Sequence, residues 1–95
     1  MKKLINKKWY NTSTSDLYYK YYDVISNKDI SLYKNKSKLF FLYVIDDRYD
    51  DFHYIITGDD MLGFLQTYLY NEEEGHYINE YYTFYNILKV YLNLK

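Results

Sequence analysis

The sequence of 95 residues predicts an α+β fold, in which a small antiparallel β-sheet of three or four strands packs against two C-terminal helices. Two observations carry this prediction. Apolar segments on either side of an acidic turn predict a central hairpin at about residues 39–57. Apolar residues at helical spacing then predict helices at about residues 60–71 and 76–94. A chain of this length predicts one domain, residues 1–95, with room for one core.

The first third of the chain is compatible with two structures. Residues 16–26, DLYYKYYDVIS, suit either a helix or a strand, and their high tyrosine content favours the strand. The residues NKD at 27–29 predict a turn, and the short segment ISLY at 30–33 predicts a further strand. The polar segment KNKSK at 34–38 predicts a solvated loop.

The central hairpin follows from two apolar runs. LFFLYVI, residues 39–45, is rich in aromatic and branched residues, which is typical of a strand buried on both faces. FHYIIT, residues 52–57, predicts the second strand. The segment DDRYDD between them favours a turn, because Asp side chains hydrogen-bond to their own backbone.

The two helices follow the hairpin. Gly58 ends the second strand, and Asp59 and Asp60 suit the N-cap and first turn of a helix. A polar break at residues 71–75 separates this helix from the next. The second helix carries a wide apolar stripe of mostly aromatic residues, which should contact the sheet and the first helix at once.

The sequence lacks the residues that several classes of site require. There is no cysteine, so disulfides and thiolate metal sites are excluded. Three scattered glycines cannot form the loop that holds a phosphate. His53 and His76 have no serine in a nucleophile-elbow context, and the chain has no Asp-x-Lys or Glu-x-Lys pair of a metal-dependent nuclease. We therefore expect no enzymatic activity, no metal and no cofactor.

The sequence also contains no membrane signal. No stretch approaches the roughly 18 apolar residues of a spanning helix. The N-terminal segment MKKLINKKWYNTS lacks the apolar core of a signal peptide. The predicted helices are flanked by acids rather than by lysines, which disfavours binding to a membrane surface. We therefore expect a soluble protein of the cytoplasm.

Charge is distributed unevenly along the chain. Residues 1–38 contain nine Lys and three Asp, a net charge of +6, whereas residues 39–88 contain ten acids and one Arg, a net charge of −9. Such asymmetry predicts two electrostatic faces, unless the two halves fold against each other and cancel. The acidic half contains the candidate partner-binding residues, which are Asp46, Asp47, Arg48, Tyr49, Asp50, Asp51, Asp59, Asp60, Glu72, Glu73 and Glu74.

An acidic, tyrosine-rich surface suits a partner with a basic groove. Carboxylates can take the places of nucleic-acid phosphates in such a groove, and opposite potentials speed the encounter. Tyrosine buries a large area for only two side-chain torsions and keeps a polar tip. The chain contains 16 tyrosines, although its Lys-, Asn-, Ile- and Tyr-rich composition is also typical of an AT-rich genome.

In its size, AT-rich composition, absence of catalytic motifs and acidic hairpin-plus-helix half, the chain resembles small phage- or virus-encoded inhibitors of host defence, including some anti-CRISPR proteins. The resemblance implies a non-enzymatic protein that blocks a nucleic-acid-handling defence protein of the infected host, such as a CRISPR effector, by stoichiometric binding. The resemblance includes no shared motif, so it assigns no residue role.

Two alternatives remain open. The N-terminus interleaves lysines with aromatic residues, which indicates a small nucleic-acid-binding protein. Its candidate residues are Lys2, Lys3, Lys7, Lys8, Trp9 and Tyr10. The same segment could instead be a solvated terminus with Trp9 anchored in the core. In the second alternative, the tyrosine-rich helix at 76–94 forms the face of a homodimer.

Overall fold

An N-terminal hairpin and a four-stranded sheet form the first two thirds of the protein in a computed structural model, which describes residues 1–48 and 52–94. The hairpin pairs β1 (Lys2–Ile5) with β2 (Lys8–Asn11), and a short 3₁₀ turn follows it. The sheet is antiparallel, with the strand order β3-β4-β5-β6. Its strands are β3 (Asp16–Asp23), β4 (Lys28–Lys34), β5 (Phe40–Asp46) and β6 (Phe52–Thr57).

The last third contains the two predicted helices, α1 (Asp60–Tyr68) and α2 (Asn79–Tyr91). The predicted α+β fold and its central hairpin are confirmed. Both helices are shorter than predicted. A small ladder of β7 (Tyr70–Asn71) and β8 (His76–Tyr77) takes up the residues between them, and α2 ends at Tyr91 rather than at residue 94. Neither helix is long and apolar enough to cross a bilayer, and no other helix within the described part of the chain is.

Strand β5 is buried on both faces, as its sequence predicted. Phe40, Leu42 and Val44 pack in one cluster with residues of both helices. Phe41 belongs to a second, smaller cluster on the opposite face, where Tyr10 of β2 contacts it edge-on with ring centroids 5.3 Å apart. The sheet therefore lies between the helices and the N-terminal hairpin.

The N-terminal hairpin was not expected from the sequence, which predicted either a nucleic-acid-binding segment or a solvated terminus with Trp9 anchored in the core. The turn of the hairpin places Asn6 and Lys7 at φ values of 51° and 65°, as a two-residue type I′ turn requires. Side chains alternate along β2, so that Tyr10 is buried against the sheet and Trp9 points outward with 57% exposure. The anchor of this segment is therefore Tyr10.

Residues 16–23 form a strand, which confirms the choice of strand over helix. The turn that follows differs from the predicted one at 27–29. Asp23 pairs with Lys28, so strand β4 already begins at Lys28 and the turn consists of residues 24–27. This register places the two branched residues Val24 and Ile25 at the tip of the turn.

Candidate interaction surfaces

The candidate acidic residues are divided between two ends of the sheet. The turn at residues 24–27 and the residues that follow β5 share one end, because the Asp47 amide donates a 3.0 Å hydrogen bond to the Asn27 carbonyl. We call residues 22–28, 46–48 and 70–74 the acidic end. Strand β6 leads back to the other end, and its six residues span about 20 Å. Asp59 and Asp60 follow β6 and therefore do not join the acidic end.

Asp46 was predicted to bind a partner, but the structure buries it. Its Oδ2 lies 2.9 Å from Lys28 Nζ, and its Oδ1 lies 3.3 Å from Arg48 Nε. Hydrogen bonds from Arg48 and Lys28 hold the pKa of the Asp46 carboxyl well below its usual range. The carboxylate is thus occupied within the fold and cannot serve an external partner.

Lys28 is equally enclosed. It lies at the start of β4 on the helix side of the sheet, is 2% exposed, and its Nζ lies 4.5 Å from the centre of the Tyr68 ring. An open cavity of about 590 Å³ lies beside Lys28 and Asp46. Arg48, Phe52 and Tyr54 also line this cavity. Burial, together with Tyr68 and Asp46, raises the pKa of Tyr54 to about 12.

The turn at residues 24–27 is fixed by hydrogen bonds to a buried side chain. The buried Asp23 carboxylate accepts hydrogen bonds from the backbone amide and the hydroxyl of Ser26. Asn27 adopts a φ of 54°, which its short polar side chain tolerates. These contacts fix the turn, and the side chains at its tip, Val24 and Ile25, are exposed.

Val24 and Ile25 are 72% and 92% exposed, and Ile25 is the most exposed large apolar residue within residues 1–48 and 52–94. Ile25 lines a groove of about 430 Å³ together with Glu72 and Glu73 of the turn between β7 and β8. The Asn71 carboxamide accepts hydrogen bonds from the Glu73 and Glu74 amides and so fixes this turn. The acidic end therefore presents an apolar tip beside carboxylates.

The remaining predicted residues of this surface differ in their surroundings. Asp47 is exposed. Partial burial of Tyr22 and its hydrogen bond to Asp47 raise the pKa of the Tyr22 hydroxyl. Glu74 pairs with His76 at 2.9 Å on the surface. Arg48 extends to Asp46 with its side chain 43% exposed. Tyr49, Asp50 and Asp51 lie outside the residues that the structure describes.

The opposite corner of the molecule carries the N-terminal lysines. Asn35 Nδ2 donates a 3.2 Å hydrogen bond to the Trp9 carbonyl, which joins the turn between β4 and β5 to the N-terminal hairpin. We call residues 2–11 and 34–39 the lysine end. Lys2 Nζ lies 4.8 Å from the centre of the Trp9 ring. Of the aromatic residues predicted to bind nucleic acid, only Trp9 is accessible, because Tyr10 is buried.

The lysines of this end have no acidic partner in the part of the chain that the structure describes. No ion pair within residues 1–48 and 52–94 involves Lys2, Lys7 or Lys8, and the same holds for Lys3, Lys34, Lys36 and Lys38. The linear charge asymmetry of the sequence therefore reaches the surface here. The segment at 34–38, predicted as a solvated loop, lies beside Trp9, which no local sequence pattern indicates.

In the described part of the chain, no group of three or more His, Asp or Glu residues could hold a metal ion. His53 Nδ1 lies 2.5 Å from the Tyr43 hydroxyl, and the two rings meet edge-on across strands β5 and β6.

Comparison with known proteins identifies no matching family model, no matching curated protein and no matching solved structure.

Proposed function

We propose that this protein is a small, non-enzymatic inhibitor that docks its acidic end onto the basic surface of a nucleic-acid-handling host defence protein. The observation that carries this proposal is the exposed pair Val24 and Ile25 beside the carboxylates of Glu72 and Glu73. The acidic surface expected from the sequence was centred on DDRYDD. The proposed surface is centred on the turn at residues 24–27 instead.

The apolar tip has the properties of a binding anchor. Branched apolar residues are poor turn formers, and neither Val24 nor Ile25 contributes to a core cluster. Burying such a side chain in a partner's pocket stabilises the complex by roughly 1.5–3 kcal/mol. Hot spots of this kind are typically surrounded by polar residues that exclude water and set orientation.

The carboxylates supply the complementarity to a basic partner. Asp47, Glu72 and Glu73 are exposed and at the same end of the sheet as the apolar tip. A partner whose Lys and Arg side chains hold phosphates would be attracted by these carboxylates, which raises the association rate at low salt. The resemblance to phage-encoded inhibitors supports a defence protein as the partner class, and stoichiometric occlusion requires no catalytic group.

A photo-crosslinking experiment tests the proposal at the position that matters. Benzoylphenylalanine replaces Ile25 in one variant and Val90 in a control, because Val90 is similarly exposed (84%) but lies on α2. In host cell extract, we expect a basic nucleic-acid-binding protein to crosslink at position 25 and not at position 90. A purified preparation of that protein should lose nucleic-acid binding at an equimolar ratio.

Charge variants provide a second test of the proposed function. Glu72→Gln with Glu73→Gln removes two charges at the acidic end, and Asp59→Asn with Asp60→Asn removes two elsewhere. The first pair should weaken the crosslink at position 25, and the second should leave it unchanged. Equal crosslinking at positions 25 and 90, or equal effects of the two charge pairs, would contradict the proposal.

A further inference from the structure

We infer that the lysine end is a separate binding site for single-stranded nucleic acid, with Trp9 as the platform on which a base stacks. This inference does not depend on the function proposed for the acidic end. It rests on the position of Trp9 between two grooves, on the lysines that line them, and on the backbone conformation of Lys7.

Two grooves meet at Trp9. One has a volume of about 300 Å³ and also contacts Lys2 and Lys36. The other has a volume of about 460 Å³ and also contacts Lys7 and Lys8. Asn35 and Ser37 line both grooves. Four lysines therefore surround one exposed indole, and no carboxylate lines either groove in the part of the chain that the structure describes.

This arrangement matches the chemistry of a single strand. An exposed indole can stack on an unpaired base, whereas the bases of a duplex have no accessible faces in the middle of the helix. Lys2 Nζ lies over one face of the indole, 4.8 Å from the ring centre, so a base would stack on the opposite face. The grooves contain no Arg, the usual reader of guanine edges, so binding should depend little on sequence.

The composition of the grooves favours nucleic acid over a lipid surface. Insertion of Trp9 into a bilayer would bring the polar side chains of Asn11, Thr14 and Asn35 to the membrane with it. Removing such groups from water without partners is unfavourable. Beside a nucleic acid, the same side chains can hydrogen-bond to phosphate and sugar.

Lys7 carries its charge at a backbone position that disfavours a side chain. Its φ of 65° is a conformation in which glycine is unstrained and a side chain is disfavoured. Lys38, at the tip of the neighbouring turn, has the same φ of 65°. Backbone strain of this kind is concentrated at functional sites. A lysine at position 7 is thus disfavoured by the turn but useful to a phosphate-binding groove.

The sole tryptophan of the chain provides a direct readout. A labelled oligothymidylate of 12 nucleotides is titrated with the protein, and anisotropy and Trp9 emission are followed together. We expect binding on the order of 10 µM at physiological salt, quenched Trp9 emission, and a logarithmic salt slope of about −3 for four lysine contacts. Trp9→Ala should weaken binding roughly tenfold by anisotropy.

Lys7→Gly separates binding from folding. Relief of the positive φ should raise the melting temperature by roughly 4 °C. The same variant should weaken binding roughly fourfold, because one phosphate contact is lost. Lys89→Gln, on α2, removes the same charge at a distant place and should bind like the wild type.

Four outcomes would overturn the inference. The first is oligothymidylate binding that leaves Trp9 emission unchanged. The second is equal quenching by phosphatidylserine vesicles, which would indicate a lipid surface. The third is equal affinity for polyglutamate, which would indicate nonspecific anion binding or an acidic protein partner. The fourth is equal weakening by Lys7→Gly and Lys89→Gln.

Discussion

The two ends of the sheet treat charge in opposite ways. At the acidic end, carboxylates are used inside the fold: Asp46 forms a buried pair with Lys28, and Asp23 holds a turn through Ser26. At the lysine end, the lysines make no ion pair among the described residues. The number of charges in a segment therefore does not measure the charge that the segment presents. Within residues 1–48 and 52–94, the accessible carboxylates of the acidic end are those of Asp47, Glu72, Glu73 and Glu74, around an apolar tip.

The comparison also shows two ways of anchoring an end. The acidic end is fixed by ionic and hydrogen-bonded contacts within turns. At the lysine end, the hairpin is held chiefly by aromatic packing of Tyr10 on Phe41, together with the hydrogen bond from Asn35 to the Trp9 carbonyl. We expect the acidic end to respond to charge substitutions and to pH, and the lysine end to respond to loss of aromatic packing.

The largest effect is expected from Lys28→Met. This variant leaves the buried Asp46 carboxylate with only the partly exposed Arg48, and breaking one side of a buried pair typically costs about 3 kcal/mol. Lys20→Met is the matched control, because Lys20 pairs with Asp29 at 3.4 Å but is largely exposed. The control should cost less than about 1 kcal/mol. Urea unfolding followed by circular dichroism measures both changes.

The double variant of Lys28→Met with Asp46→Leu sharpens this test. Replacing a buried pair by apolar residues is often neutral or stabilising, so much of the lost stability should return. Equal losses in the Lys28 and Lys20 variants would show that the buried pair has no special role at the acidic end.

A somewhat smaller effect is expected from Tyr10→Ala at the lysine end. Tyr10 is buried between Phe41 and the hairpin, and removing a buried aromatic side chain costs about 3 kcal/mol or less where the surroundings can relax. Trp9→Ala, one residue earlier, should cost less than about 1 kcal/mol because Trp9 is largely exposed. Thermal unfolding of the two variants distinguishes them. Similar losses would mean that Trp9, and not only Tyr10, anchors the hairpin.

Much of the fold could be predicted from the spacing of apolar residues along the sequence. The apolar run at 39–45 and the helical stripes gave the sheet and both helices, because burial of those residues dominates the core. The N-terminal hairpin was missed, because its turn uses Asn6 and Lys7 where a glycine would have been a clear signal. The available hint was the alternation of side chains along the two strands, in which Leu4 and Trp9 lie on one face and Ile5 and Tyr10 on the other.

The candidate sites were less predictable than the fold. Alternation along Phe40, Leu42, Val44 and Asp46 could have placed Asp46 on the core face, and Lys28 precedes Ile30 in the same way. Which lysine meets which aspartate depends on strand register, which no local pattern specifies. The separation of Asp59 from Asp47 likewise follows from strand direction.

The stability of the acidic end should depend on pH in the acid range, unlike that of the lysine end. The pKa of Asp46 is lowered in the folded protein, so its stabilising contribution is present above the unfolded carboxyl pKa of about 3.9 and is lost as the pH falls further. We expect the free energy of unfolding to decrease below about pH 4. Asp46→Asn should flatten that decrease, whereas Asp59→Asn should not. An unchanged pH profile in Asp46→Asn would rule out this source of acid sensitivity.

Alkali gives the smallest effect. Burial raises the pKa of several tyrosines, including Tyr10, Tyr43 and Tyr81, and Tyr54 is the one tested by substitution. Tyr54 shares the cavity of Lys28 and Asp46, and its pKa is raised to about 12. A raised pKa means that the folded protein holds this proton more tightly than the unfolded chain, so the stabilising contribution is complete below about pH 10 and is lost as the pH approaches 12. Tyrosinate absorbance should show a late-ionising group that Tyr54→Phe removes. If the late ionisation persists in Tyr54→Phe, the buried site belongs to another tyrosine, and the cavity at the acidic end is wetter than its lining indicates.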